Sequence, residues 1–204
     1  TYIAFGGGLD VPKIMNSKST YVRGNLGGFK GRKLQEGDEI LVDTSKSKAE
    51  AGKYVSPVYI PRYSKNNIVR VVLGPQDDHF PPESIETFLN SEYKITAEAD
   101  RMGYRLDGPK LTHVKGPDII SDGIVFGSVQ VPGHGSPIVM MADRQTTGGY
   151  TKIATVIWAD LPTIAQMGPG DTVGFQSVSI EEAQEILEQY ERTITDIKYR
   201  VGNS

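Results

Sequence analysis

Glycine and proline break nearly every apolar run of this chain into short lengths. There are 23 glycines and 12 prolines, and the segments between them are rich in valine, isoleucine and threonine. Such runs suit strands joined by turns better than long helices. The pattern predicts a mainly β fold with a few helices. Strands are expected at Tyr2–Phe5, Glu39–Val42, Ile68–Leu73, Tyr93–Thr96, Ile124–Val131, Ile138–Ala142, Ile153–Trp158 and Thr172–Phe175. Several of these are continuously apolar, as strands covered on both faces or closed into a barrel must be.

Three helices stand out. Ser179 and Glu182 form an S-x-x-E capping box, and Ala183, Ile186, Leu187 and Tyr190 then recur at helical spacing as one apolar face. A second helix starts near Pro82, with Ile85, Phe88 and Leu89 facing inward. A third follows Asp160, placed to cap Leu161–Gln166, with Pro162 tolerated in the first turn. Gly168–Asp171 reads as the turn into the last strand.

The polar stretch Asp43–Lys53 is the best linker. It divides the chain into residues 1–65 and 66–204, the second part being the compact one. Thr1 opens inside a strand-like run with no start methionine, which reads as a chain lacking its N-terminal part.

Bulk properties exclude several function classes. No cysteine is present, so thiolate metal sites, disulfide frameworks and a cysteine nucleophile are ruled out; the composition suits a reducing, cytoplasmic setting. The net charge of −3 and the scattered lysines and arginines leave no basic stripe for nucleic acid. No apolar run approaches the ~20 residues of a membrane span. The three histidines form no metal-binding pair, so no metal is expected.

Four polar stretches can carry chemistry. In Ala142–Tyr150, Asp143, Arg144, Gln145, Thr146 and Tyr150 crowd between two apolar strands. Arg144 can fork two donors onto an anion, and Gly148 and Gly149 allow close backbone approach or positive φ. The alternative is a polar hairpin whose Asp143 and Thr146 bond their own backbone. In Gly127–Pro137, Gln130 interrupts a β-branched run, as a ligand contact or a hydrogen-bonded barrel residue. His134 there is a proton carrier or plain surface. In Ala99–Leu106, Arg101 and Arg105 share a face of an unkinked strand, either to hold an anion or to pair with carboxylates. In Gly6–Arg32, Arg23 and Arg32 stand on a glycine-rich loop suited to an anion cleft, but no GxxxxGK[ST] or GxGxxG motif is present.

The same four stretches carry a family resemblance. GGGLDVPKIMNSKSTYVRGNLGGFKGRKLQEGDEI, ADRMGYRLDGPKL and VQVPGHGSPIVMMADRQTTGGYTKIATVIWADLPTIAQMGPGDTVGF resemble, in order, the motifs of the family of 5-oxoprolinase C subunits. This family is also called the allophanate hydrolase subunit 2 or KipA family, with a biotin-dependent carboxyltransferase-like domain. Ala99 stands where serine is usual, and Pro132-Gly133-His134 replaces a commoner Pro-Pro-Asn, which weakens a catalytic role for His134. By the resemblance, roughly the first third of a typical member would be missing before Thr1.

The resemblance implies a cyclophilin-like β-barrel. Residues 1–65 would be the end of a first carboxyltransferase subdomain, and residues 66–204 a cyclophilin-like second subdomain with a C-terminal helix. It also implies ATP-driven opening of 5-oxoproline to glutamate in a cytoplasmic hetero-complex. The partners would be the B subunit (allophanate hydrolase subunit 1, KipI-like) together with the A subunit, and ATP would be used by the complex. Asp143, Arg144, Gln145, Thr146 and Tyr150 become the expected catalytic residues, and Arg101, Gln130, Arg23 and Arg32 the substrate contacts. Two other activities fit the resemblance. One is a carboxyltransferase component of a biotin-dependent, urea carboxylase or allophanate-type enzyme. The other is a regulatory subunit that holds a KipI-like partner without chemistry.

Overall fold

The computed structural model describes residues 3–46 and 52–202. Tyr2 and part of the expected linker, residues 47–51, lie outside them. The chain forms two compact units, Thr1–Tyr54 and Val55–Ser204.

The first unit has little regular structure. A two-stranded sheet pairs β1 (Thr20–Tyr21) with β2 (Leu26–Gly27). The strand expected at Glu39–Val42 reduces to a single bridge, Leu9 to Val42, and residues 3–5 of the strand expected at Tyr2–Phe5 are irregular. Glycine is the reason. Gly27 takes φ +72, and a Cβ there would lie 2.4 Å from the carbonyl oxygen of Ser19; such positions fix turns, not ladders.

The second unit holds the remaining strands in chain order. They are β3 (Asn66–Leu73), β4 (Tyr93–Ile95), β5 (Gly103–Asp107), β6 (Asp118–Gly123), β7 (Ser128–Gln130), β8 (Ile138–Met140), β9 (Thr147–Tyr150), β10 (Lys152–Val156) and β11 (Thr172–Ser177). Seven of them close into a barrel in the order β10-β3-β11-β4-β5-β8-β7. β3 and β11 pair in parallel; the other barrel neighbours are antiparallel. Closure leaves no edge strand in the barrel. Its interior is filled by Val69, Val71, Val129, Val131, Val139, Ile153 and Ala154, all fully buried. The expected mainly-β barrel is thus the observed one. One expected strand is much shorter, however: Ile124–Val131 yields only Ser128–Gln130, because Gly127 at φ +89 turns the chain before it.

Helix α1 (Pro82–Asn90) buries Phe88, whose ring stacks on Phe175 of β11 at 4.3 Å. A side chain of this size stabilises the fold by about 2–3 kcal/mol on burial. Helix α2 (Leu161–Ala165) has Pro162 in its first turn. Asp160 does not cap it. Its carboxylate instead accepts the backbone N–H of Arg70 at 2.7 Å and the guanidinium at 2.9 and 2.6 Å. Helix α3 (Ile180–Gly202) starts as its capping box requires: Ser179 Oγ accepts from Glu182 N, and the Glu182 carboxylate accepts from Ser179 N. Ala183, Ile186 and Leu187 are half-buried, while Tyr190 is exposed, so the expected apolar face is only partly covered.

Candidate active site

Strands β6 and β9 form an antiparallel ribbon that is not part of the barrel. Asp122 stands opposite Gly148 in that ribbon. The stretch Ala142–Tyr150 is therefore not a hairpin between neighbouring strands. After β8 the chain leaves the barrel, pairs with β6, and returns as β10 beside β3 and β7.

The ribbon covers a patch of barrel wall. Gln130 on β7 and Lys152 on β10 are paired directly across the ladder, which puts both side chains on one face. Val129 and Val131 fill the interior, so alternation along β7 turns Gln130 outward. Yet Gln130 and Lys152 are each only 2% exposed. Gly148 accounts for this: a Cβ there would lie 3.3 Å from Gln130 Nε2, 3.5 Å from Gln145 Nε2 and 2.5 Å from Ile124 Cδ1. Gly148 and Gly149 do not take positive φ; at Gly148 the requirement is close approach.

Beneath the ribbon the polar groups are almost all satisfied. The Lys152 ammonium donates to Asp122 Oδ2 at 2.8 Å, and Gln76 Nε2 donates to the same oxygen at 3.2 Å. Gln76 also brackets the Lys152 backbone, accepting from its N–H and donating to its carbonyl, both at 3.1 Å. The Lys152 ammonium, with the Gly123 amide and Gln76 in support, holds the Asp122 carboxyl below its usual range. One group is left over: Gln130 Nε2 is buried with no hydrogen-bond partner among the described residues. An orphan donor of this kind costs about 1–3 kcal/mol, which makes Gln130 a candidate ligand contact.

A histidine supports the same wall. His113 Nε2 lies 3.1 Å from the Val131 carbonyl and 3.1 Å from Thr151 Oγ1, and its ring packs on Phe80 at 4.7 Å. Burial pushes its pKa down, against the Val131 hydrogen bond.

The residues singled out in the sequence are distributed unevenly around this centre. Gln130 lies within it and Gln145 reaches its edge. The Asp143 carboxylate accepts from Arg101 Nε and Nη2, at 2.8 and 2.9 Å. Thr146 and Tyr150 are exposed on or beside β9. Arg144 donates from Nε to the Ile124 carbonyl at 3.1 Å and sits over the Phe126 ring. Arg105 pairs with Glu98 at 3.4 Å and so does not share an anion site with Arg101. His134 is exposed. In the first unit, Arg32 holds Asp38 at 2.7 and 2.6 Å, and Arg23 lies in an exposed 3-10 turn. Sequence reading missed Lys152, Asp122, Gln76 and His113. Lys152 stands two residues after the polar block, and a lysine inside a β-branched run was the available signal.

The sequence model of the carboxyltransferase domain, subdomain A and B, matches residues 1–177. The chain belongs to that carboxyltransferase-domain family. It is 36% identical over 203 residues to the C subunit of 5-oxoprolinase from Escherichia coli, covering 100% of this chain and 64% of that protein. It is 31% identical over 212 residues to the urea amidolyase of Saccharomyces cerevisiae, covering 96% of this chain and 12% of the yeast protein. The urea carboxylase of Kluyveromyces lactis superposes with a TM-score of 0.82 at 30% identity, covering 94% of this chain and 19% of that one. The chain thus spans somewhat less than two-thirds of the bacterial relative and a small part of the fungal enzymes. As a carboxyltransferase-domain chain it carries the barrel, the ribbon and the polar centre between them. Among its described residues no helix is long and apolar enough to cross a membrane.

Proposed function

We propose that this chain is the C subunit of a cytoplasmic, ATP-dependent 5-oxoprolinase and that the Gln130–Lys152 centre holds the lactam carbonyl of 5-oxoproline. The observation that carries the reading is the buried Gln130 Nε2, unpartnered among the described residues, on the same face as the buried Lys152. A neutral donor and a cation fixed side by side out of water suit an amide oxygen that gains negative charge. Similarity over the whole of this chain, and 64% of the E. coli 5-oxoprolinase component, supports this substrate.

A lactam is a stable amide; moving the terminal phosphoryl group of ATP onto the carbonyl oxygen activates the carbon for water attack. The ring C–N bond then breaks to free the amine, and a second water hydrolyses the acyl phosphate to glutamate and phosphate. This chain has no phosphate-loop motif, so ATP is assigned to the complex with the A and B partners (the latter KipI-like). Gln145, Thr146, Tyr150 and the Arg101–Asp143 pair are assigned to the rim of the centre, where they position substrate. Arg23 and Arg32 remain candidate anion contacts, although Arg32 is already engaged by Asp38.

The test is ATP-dependent glutamate release from 5-oxoproline by the full-length protein with its A and B partners, each omitted in turn. Turnover that needs this chain, and falls at least a hundredfold in Lys152→Met, is expected. No turnover by an assembled complex refutes the reading. The similarity to yeast urea amidolyase supports a second one, a carboxyltransferase component acting with carboxybiotin on a urea-like acceptor; turnover of that pair would establish it. Partner binding with no turnover of either substrate would leave the regulatory reading.

A further inference from the structure

A cavity of about 440 Å³ opens between the barrel and the start of α3. Neither Gln130 nor Lys152 lines it. Its walls are apolar: Phe126, Trp158, Leu161, Ile180 and Leu187 surround one charged group, Arg144. Trp158 meets Phe126 edge-on at 6.3 Å and 85°, a favourable aromatic geometry.

Three observations point to a ligand. First, Trp158 and Ile180 remain 59% and 58% exposed beside the buried Leu161, an apolar surface that none of the described residues covers. Second, Arg144 is held rigidly, by the Ile124 carbonyl at 3.1 Å, the Met141 carbonyl at 3.4 Å and the Phe126 ring face at 5.8 Å. Third, no carboxylate pairs with Arg144 among the described residues, although Arg70, Arg101, Arg105, Arg192 and Arg200 each have one. Two backbone carbonyls use two of the five guanidinium donors, and the rest stay available to a planar anion. The capping box at Ser179 and Glu182 already serves the start of α3, so Arg144 is the cation of this cavity.

We propose that the cavity binds a small monocarboxylate with an apolar body, its carboxylate on Arg144 and its hydrocarbon between Trp158, Phe126 and Leu187. Its volume falls within the ~300–1,000 Å³ of small-molecule pockets. The site is separate from the carbonyl centre and does not depend on the activity assigned to it.

The test uses phenylpropionate, phenylpropanol and phenylpropylamine, titrated by calorimetry into the full-length protein. Trp158, the single tryptophan of these residues, reports position through its emission, with Trp158→Phe as the control for that signal. Phenylpropionate should bind saturably at one site, at least tenfold tighter than the alcohol or the amine, and shift the Trp158 emission. Arg144→Gln should remove that tenfold preference and leave alcohol binding unchanged. Ala183→Phe, which narrows the cavity from α3, should weaken all three. The ligand series in the unaltered protein decides the matter even if Arg144→Gln fails to fold. No saturable carboxylate binding, equal affinity for acid and alcohol, or a folded Arg144→Gln that keeps the preference would each overturn the proposal.

Discussion

Gln130 and Lys152 face each other across the β7–β10 ladder, both almost fully buried on the outer side of a barrel wall. Lys152 has a carboxylate at 2.8 Å, whereas the Gln130 amide nitrogen has no partner among the described residues. Polar groups on a barrel exterior normally meet water; here the β6–β9 ribbon keeps water off.

On the proposed reading, the Gln130 donor costs stability for the sake of binding. Gln130→Met, close in shape and free of the orphan group, should keep or raise the thermal midpoint, by up to about 1–2 kcal/mol in stability. It should lower 5-oxoproline turnover by the assembled complex at least tenfold. A midpoint that drops sharply would show that Gln130 is structural.

Gly148 sets the spacing between ribbon and wall. Gly148→Val should leave the barrel folded, because the nearest obstacle is the flexible end of Ile124 at 2.5 Å. Its branches would occupy the space between Gln130 and Gln145, so turnover should be lost with unchanged circular dichroism. Full activity in this variant would move the site elsewhere.

Asp160 ties α2 to β3. Asp160→Ala strands the Arg70 guanidinium and the Arg70 backbone N–H beside a buried helix start. A loss of about 2–4 kcal/mol is expected in urea unfolding, reduced from a fully buried pair because Arg70 is one-third exposed. A change under half a kilocalorie, well below the ~2 expected, would contradict this account.

Stability should fall on mild acidification. Burial holds folded His113 below the ordinary histidine value of about 6.5, so the unfolded chain takes up the proton first. The His113 contribution is complete above that value and is lost as pH falls through the folded one. Asp122, held below the usual carboxylate range by Lys152, adds a second loss below about 4, again because the unfolded chain protonates first. Thermal midpoints measured across this range should show the first decline, and His113→Gln should flatten it. An unchanged slope in that variant would remove His113 as the cause.

Features with local causes were legible in the residues. The capping box at Ser179 and Glu182 forms because both partners lie within one turn. The apolar runs around Val69–Val71 and Ile153–Val156 became barrel strands because hydrophobic β-branched segments need cover on both sides. Gln130 could be singled out because an amide inside such a run requires a reason. The ribbon was not legible: β6 reads Asp-Ile-Ile-Ser-Asp-Gly, a largely exposed strand with no apolar alternation to announce it. Asp160 shows the limit of local rules, since a capping residue at the right position found a stronger partner 90 residues away.

What the sequence determined by itself was the strand-rich class, the helix starts and the polar block; what the tertiary structure alone decided was which side chains meet. Gln76, Asp122 and Lys152 are 30 to 76 residues apart. They converge because barrel closure and ribbon register set β10 between β3 and β7 and lay Gly148 over Gln130. Burial of a lysine is a property of that arrangement, not of the residues beside it in the chain.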